Sequence, residues 1–214
     1  MSAGQPDAVV KVGGSLFDLP DLGPRLHRYL ERTGWQHVLL VPGGGPAADA
    51  VRRLDRCHQL GEEAAHWLAL EAMALNARFL ATILMREERE PCRTALQSRL
   101  GREFARPDGS GEPSYGLDSE RWSVLDALRF AQADDGNPDC LPHSWAVTSD
   151  SVAARAAVVG AVGRLVLLKS ISIPTDLSWT EASQRGWVDE FFPLVLRAAP
   201  HLEVSAVNLR TWAE

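Results

Sequence analysis

The chain predicts an α/β fold, a three-layer α/β/α sandwich around a mainly parallel sheet. Three observations predict it. Short β-rich apolar runs alternate with segments of helical period. The first two of those runs end directly in consecutive glycines, as strands do when they feed loops at one edge of a sheet. The 214 residues are 45% hydrophobic and 23% charged, enough apolar material for one domain over 1–214 and unlike a disordered chain.

Val9 to Val12 reads as a buried strand ending at Gly13-Gly14. Leu22 to Thr33 carries leucines at positions 22, 26 and 30, a helical spacing, and stops at Gly34. His37 to Val41 is a second buried strand, followed by Pro42-Gly43-Gly44-Gly45. Pro46 suits the first turn of a helix that Ala47 to Arg56 continue. Gly61 to Glu90 reads as one long helix with His66, Leu70, Met73, Ala77, Leu80 and Leu84 on a single face. Beyond Pro91 the pattern is irregular, and Pro107 to Pro113 is the strongest loop signal in the chain. Trp122 to Phe130 reads equally as strand or helix, and Asp134 to Pro142 as loop. Ser149 or Asp150 caps a helix to Val162, Leu165 to Leu168 is a third buried strand, Asp189 to Ala198 a further helix and Leu202 to Val207 a last strand.

Composition excludes several classes. The net charge of -6 argues against a broad nucleic-acid surface. Met1 to Ala8 has no signal-peptide pattern, and the apolar stretch from Ala156 to Leu168 is broken by Gly160, Gly163 and Arg164, so no membrane span is expected. Cys57, Cys92 and Cys140 match neither a zinc pattern nor a disulfide framework, and a reducing cytoplasm is the simplest location. Of the 22 basic residues only Lys11 and Lys169 are lysine. Where arginine fills every other basic position, each lysine points to a task that a compact ammonium does better, such as following a migrating phosphoryl group.

Three post-strand loops carry the candidate chemistry: Lys11-Val12-Gly13-Gly14-Ser15, Gly43-Gly44-Gly45-Pro46 and Lys169-Ser170. Ligands of open α/β sheets bind outside the carboxyl ends of strands, so these loops are expected to converge. Consecutive glycines admit backbone N–H groups close to a ligand, and a following helix N-terminus adds partial positive charge. A tight turn explains either glycine loop alone equally well. The Walker A pattern is absent. Gly43 to Ala48 does satisfy G-x-G-x-x-A, with Glu62 or Glu63 about 20 residues on, so an NAD-binding Rossmann-type enzyme is a formal rival. That rival leaves Lys11, the first glycine loop and Lys169 unexplained.

Lys11-x-Gly13-Gly14-Ser15, the triple glycine, Thr148-Ser149-Asp150-Ser151 and Leu167-Leu168-Lys169 together resemble the amino acid kinase family, which includes aspartate, acetylglutamate and uridylate kinases. Ser144-Trp145-x-Val147-Thr148 and Ala65-His66-Trp67-Leu68-Ala69 look most like its branch acting on a furanylmethyl phosphate in methanofuran biosynthesis. The resemblance implies a phosphotransferase using ATP and Mg²⁺ on a small acceptor. Lys11 would contact the transferring group, Gly13, Gly14 and Ser15 the nucleotide phosphates, and Lys169 with Ser170 the phosphates from the other side. Gly43, Gly44, Gly45, Thr148 and Ser149 would hold the acceptor, and Asp150 would orient the lysines. It further implies an acceptor half over 1–145, a nucleotide half over 146–214, and compatibility with a homo-oligomer. Where family members place an acidic, glycine-containing segment, this chain has Ser170-Ile171-Ser172-Ile173-Pro174-Thr175, which shortens the nucleotide half. A degenerate relative that only binds a phospho-ligand is therefore a second class of function.

Other residues read less sharply. Asp150 also fits a helix N-cap. Asp49 and Arg52, at i and i+3, either face the acceptor or form an exposed ion pair. His66 shares its face with five apolar residues, which favours a core-edge histidine over a substrate contact. Asn76 reads as packing or a local hydrogen bond, and Asp189 as a cap before Phe191-Phe192.

Overall fold

The computed structural model describes residues 5–96 and 121–213, with side chains described outside 87–96. Strand β1 (Ala8–Val12) lies at the centre of a five-stranded sheet, buried at every position. It pairs with β2 (Val38–Pro42) on one side and β4 (Arg164–Lys169) on the other. β3 (Trp122–Val124) and β5 (Glu203–Asn208) form the edges, giving the order β3-β2-β1-β4-β5 with every pairing parallel. Strands covered on both faces bury consecutive residues, which is why β1 and β4 read as runs of Val and Leu, with Lys11 the one charge inside β1.

Period-two alternation divides these strands between two cores. Ala8, Val10, Val12, Val166 and Leu168 pack with α1 (Leu22–Thr33) on one face. Val9, Leu165 and Leu167 pack on the other with α4 (Ala127–Asp134), α5 (Ser149–Val159), α6 (Trp179–Gln184) and α7 (Phe192–Ala198). Lys11 and Lys169 continue the second pattern, so both lysines leave the sheet on its α5 side. In register Lys11 sits opposite Leu167, which places Lys169 two residues further along the neighbouring strand. The sheet order reverses between β1 and β4, the place where open α/β sheets leave a crevice.

The helix expected before Pro91 runs past it, as α3 (Glu62–Leu96). Its apolar residues do not share one destination: Leu70 and Met73 enter one core, Leu80 and Leu84 the other. A helix that serves both cores must be apolar on more than one side. The same property gives the helical segment 62–86 an 18-residue window of mean hydropathy 1.5, long and apolar enough to cross a membrane by length and composition, whereas the sequence predicts no membrane span.

Other boundaries also move. Trp122 to Phe130 resolves into β3 followed by α4, capped by Asp126 accepting from the Arg129 N–H at 3.1 Å. α5 ends at Val159 rather than Val162, and its N-cap position is Thr148, so neither Ser149 nor Asp150 is the cap. α6 was missed, although Ser178 and Glu181 form a complete capping box. α7 starts at Phe192, three residues after the expected Asp189. The loop signal at 107–113 lies outside the described residues. α2 (Gly45–His58) begins inside the triple glycine, with Pro46 in its first turn as expected.

Candidate active site

At the crevice, one carboxylate holds both lysines. Lys11 Nζ lies 2.8 Å from Asp150 Oδ1, and Lys169 Nζ lies 2.9 and 2.7 Å from Oδ1 and Oδ2. Lys169 also donates to the Trp187 carbonyl at 2.8 Å. All three residues are at most 8% exposed. Burial by itself would raise the Asp150 pKa, but Lys11 and Lys169 outweigh it and hold the carboxyl below the usual range. Burial and the Lys11 charge push Lys169 down to about 8, against the pull of Asp150 and Asp189. The two ammonium groups at the strand ends, with Asp150 between them and Asp189 in the same cavity wall, are the donors that an anionic ligand would meet.

Asp150 reaches the lysines because something else caps its helix. Asp189 accepts the N–H groups of Thr148 and Ser151 at 3.0 Å each, the Thr148 hydroxyl at 2.8 Å and the Ser151 hydroxyl. The Phe192 N–H donates to the same carboxyl at 2.9 Å, although the N-cap position of α7 is Phe191 and not the expected Asp189. Burial and the Asp150 charge push the Asp189 carboxyl up, while the Ser151 and Thr148 hydrogen bonds oppose them. Capping from a distant segment frees the first-turn aspartate of α5 to turn toward the sheet.

The glycine loops meet backbone to backbone. A Cβ on Gly43 would fall 2.2 Å from the Gly14 nitrogen, and one on Gly14 would fall 2.3 Å from the Gly45 nitrogen. Contact between loops, and not only access for a ligand, therefore requires glycine there. Among the described residues, the N–H groups of Gly14, Ser15, Gly44 and Gly45 donate to no protein acceptor. The triple-glycine loop is held from behind by Asn76 of α3, whose Nδ2 donates to the carbonyls of Gly43 and Gly44 at 2.8 and 2.7 Å. Neither Asn76 nor Asp189 carries a local signal for these roles, since each partner lies more than thirty positions away in sequence.

Two cavities flank the junction. One, about 310 Å³, is lined by Lys11, Gly13, Asp150, Lys169, Ser170 and the segment Gly186 to Asp189. The other, about 270 Å³, is lined by Gly44, Gly45, Asp49, Arg52, His66, Leu70, Met73, Trp145, Val147 and Ser149 among others. Gly14, Ser15 and Thr148 border both. The three loops thus converge, with the Ser15 and Ser170 hydroxyls 2.8 Å apart. Asp49 and Arg52 do both things considered for them, pairing at 2.9 Å and lining the second cavity, with Arg52 stacked 4.8 Å from the Trp145 ring centre. Of the expected site residues, Gly43 is the one that lines neither cavity; it lies behind the loop, against Gly14.

Magnesium finds no donor set in these side chains. Among the described residues no group of three His, Cys, Asp or Glu is placed to hold a metal ion. Asp150 is committed to the lysines and Asp189 to five hydrogen bonds.

No family model matches the chain. It is similar to the (5-(aminomethyl)furan-3-yl)methyl phosphate kinase of Methanocaldococcus jannaschii, 26% identical over 206 residues that cover 88% of this chain and 82% of that protein. Its structure resembles UMP kinase from Ureaplasma parvum (TM-score 0.55, 13% identity, 95% of this chain and 90% of that one). It also resembles uridylate kinase from Archaeoglobus fulgidus (TM-score 0.53, 13% identity, 94% and 90%) and UMP kinase from Bacillus anthracis (0.53, 14%, 97% and 89%). The fold is the amino acid kinase-like three-layer sandwich with a parallel central sheet.

Proposed function

We propose that this protein is a small-molecule kinase that passes the γ-phosphoryl of ATP to an acceptor seated in the 270 Å³ cavity. The observation that carries the reading is the Lys11-Asp150-Lys169 cluster at the junction of two cavities that share Gly14, Ser15 and Thr148. ATP phosphates occupy the lysine side, and the transferring group sits where the cavities meet. Lys11 and Lys169 neutralise charge on its oxygens, Asp150 keeps both ammonium groups in place, and the free N–H groups of the two loops orient the phosphates.

The acceptor's nucleophile is an oxygen that is already ionised. Neither carboxylate of the lysine cavity is free to take a proton: Asp150 is held by two ammonium groups and Asp189 accepts five hydrogen bonds. A phosphate monoester meets that requirement. Its oxygen attacks the γ-phosphorus, the bond to ADP breaks, and the product is a diphosphate. The similarity to a kinase of an aminomethylfuranylmethyl phosphate supports this class and makes that compound the first acceptor to test. Mg²⁺ would arrive on the nucleotide, held by its phosphates.

The test is ADP formation by the purified chain with MgATP and aminomethylfuranylmethyl phosphate, with the diphosphate identified by mass. Lys11→Ala and Lys169→Ala should each lower turnover about a hundredfold or more without unfolding the protein. Near-normal activity in both variants would remove the site assignment. ATP binding without turnover would instead identify a phospho-ligand-binding subunit, and saturable NAD(H) binding a dinucleotide enzyme.

A further inference from the structure

His66 is 8% exposed and makes no hydrogen bond to any described residue. It lines the acceptor cavity but not the lysine cavity, and it also borders a small neighbouring cavity with Asp135, Cys140 and His143, which puts it on a wall that the lysines and glycine loops do not share. Its nitrogens are not sealed in the core but reach the cavity, where water serves them until a ligand group takes its place.

The surroundings determine what that ligand group is. His66 stacks on His143, ring centres 4.8 Å apart and planes 20° from parallel. His143 is the ring that the carboxylates address, with Nδ1 at 2.7 Å from Glu63 and Nε2 at 3.5 Å from Asp135. Trp67 lies edge-on to both imidazoles and donates to Glu63 at 2.7 Å. Two parallel rings in contact cannot both carry a proton cheaply, and the buried His66 ring, which no carboxylate touches, is the one that favours the neutral form. Burial and the neighbouring His143 likewise push the His66 pKa down, against weaker opposing pulls from Glu63 and Asp135. On the cavity wall, Arg52 is already paired with Asp49. An anion at this end would meet a neutral ring backed by carboxylates, whereas an amine or hydroxyl would meet a ring nitrogen able to accept from it.

We propose that His66 is the specificity-determining residue of the acceptor cavity, accepting a hydrogen bond as a neutral imidazole from an amine or hydroxyl at the acceptor's non-reacting end. The inference rests on the acceptor assignment above and deepens it. It predicts discrimination between two acceptors that differ only in that polar group.

The test is calorimetry, without ATP, of aminomethylfuranylmethyl phosphate and of its analogue lacking the aminomethyl group. In the unaltered protein the amine-bearing compound should bind at least tenfold more tightly. In His66→Leu that preference should vanish, with affinity for the analogue unchanged or improved, and His66→Gln, which keeps a hydrogen-bonding group, should retain part of it. Equal loss for both compounds in His66→Leu, no preference in the unaltered protein, or binding of neither compound would each overturn the proposal. If His66→Leu does not fold, the preference in the unaltered protein and in His66→Gln decides. Kinase activity is scored separately by ADP formation, so tight, amine-selective binding without turnover would retain His66 as a ligand contact while refuting the phosphotransferase reading.

Discussion

The lysine cluster makes a sharp prediction about protonation. Burial and the Lys11 charge bring Lys169 from the ordinary 10.5 down to about 8. At about 1.4 kcal/mol per pKa unit, the folded site disfavours the ammonium form by about 3 kcal/mol relative to the unfolded chain. The sign follows from proton counting. Between about 8 and 10.5 the unfolded chain binds more protons at this residue than the folded one, so its contribution to stability rises with pH across that window. Below about 8 the penalty is present in full. The residue must be charged to neutralise phosphate, so kcat/KM for ATP should fall as pH rises through about 8. Bound phosphates favour the ammonium form, and kcat itself should therefore hold to higher pH. The direct assay is NMR of protein labelled at the lysine ε-carbon, where a chain with only Lys11 and Lys169 shows two side-chain signals. One should titrate near 8 in the free protein and move upward when MgATP is added. If neither signal titrates below the ordinary lysine range, the buried Lys-Asp-Lys geometry is wrong, and the charge argument for catalysis goes with it.

Two further perturbations test the scaffold. Asp189→Asn keeps the size of the side chain and one accepting oxygen but sets an amide NH2 against a backbone N–H and removes a negative charge that supports protonated Lys169, so the protein should lose some stability, the low lysine midpoint should fall further and the alkaline limb of activity should move to lower pH. Asp189→Ala also strands the N–H groups of Thr148, Ser151 and Phe192 and should cost about 3 kcal/mol in denaturant unfolding. Gly43→Ala should lower stability by about 3 kcal/mol and abolish turnover, because its Cβ would sit on the Gly14 backbone. Gly163→Ala, where nothing lies within 4 Å of the added atom, is the control and should melt like the parent protein.

The strands were legible because their signal is local. A strand covered on both faces is a short apolar run, and β1, β2 and β4 each stand within a residue or two of where such a run predicts them; β5, an edge strand exposed or half-buried throughout, stands one residue from the expected Leu202 to Val207. α1 stands where its leucine spacing and Gly34 place it, ending in a left-handed glycine with φ 70°. β3 was not legible, since three residues at a sheet edge leave too little pattern to separate strand from helix. α3 misled in another way. Its apolar residues look like one face when only the period is counted, but halves of the helix pack on opposite sides of the sheet.

The site divides along the same line. By itself the sequence determined which residue types stand at the strand ends: two lysines among twenty arginines, two glycine runs, and an aspartate at the start of a later helix. Those features follow from chain order and short-range pattern. Tertiary structure decided what each one faces. Asp150 is a partner of two lysines and not a cap because Asp189, from a segment after β4, caps the helix instead. Asn76 braces the triple glycine from 33 residues away, and Asp134 meets Arg155 in a buried pair at 2.7 Å that no spacing announced. His66 shares a helical face with core residues, yet only the opening beside α2 and α5 turns it toward a cavity. Hydrogen bonds and charge pairs act over about 3 Å of space whatever the distance along the chain, so a one-dimensional pattern can name the participants but not pair them.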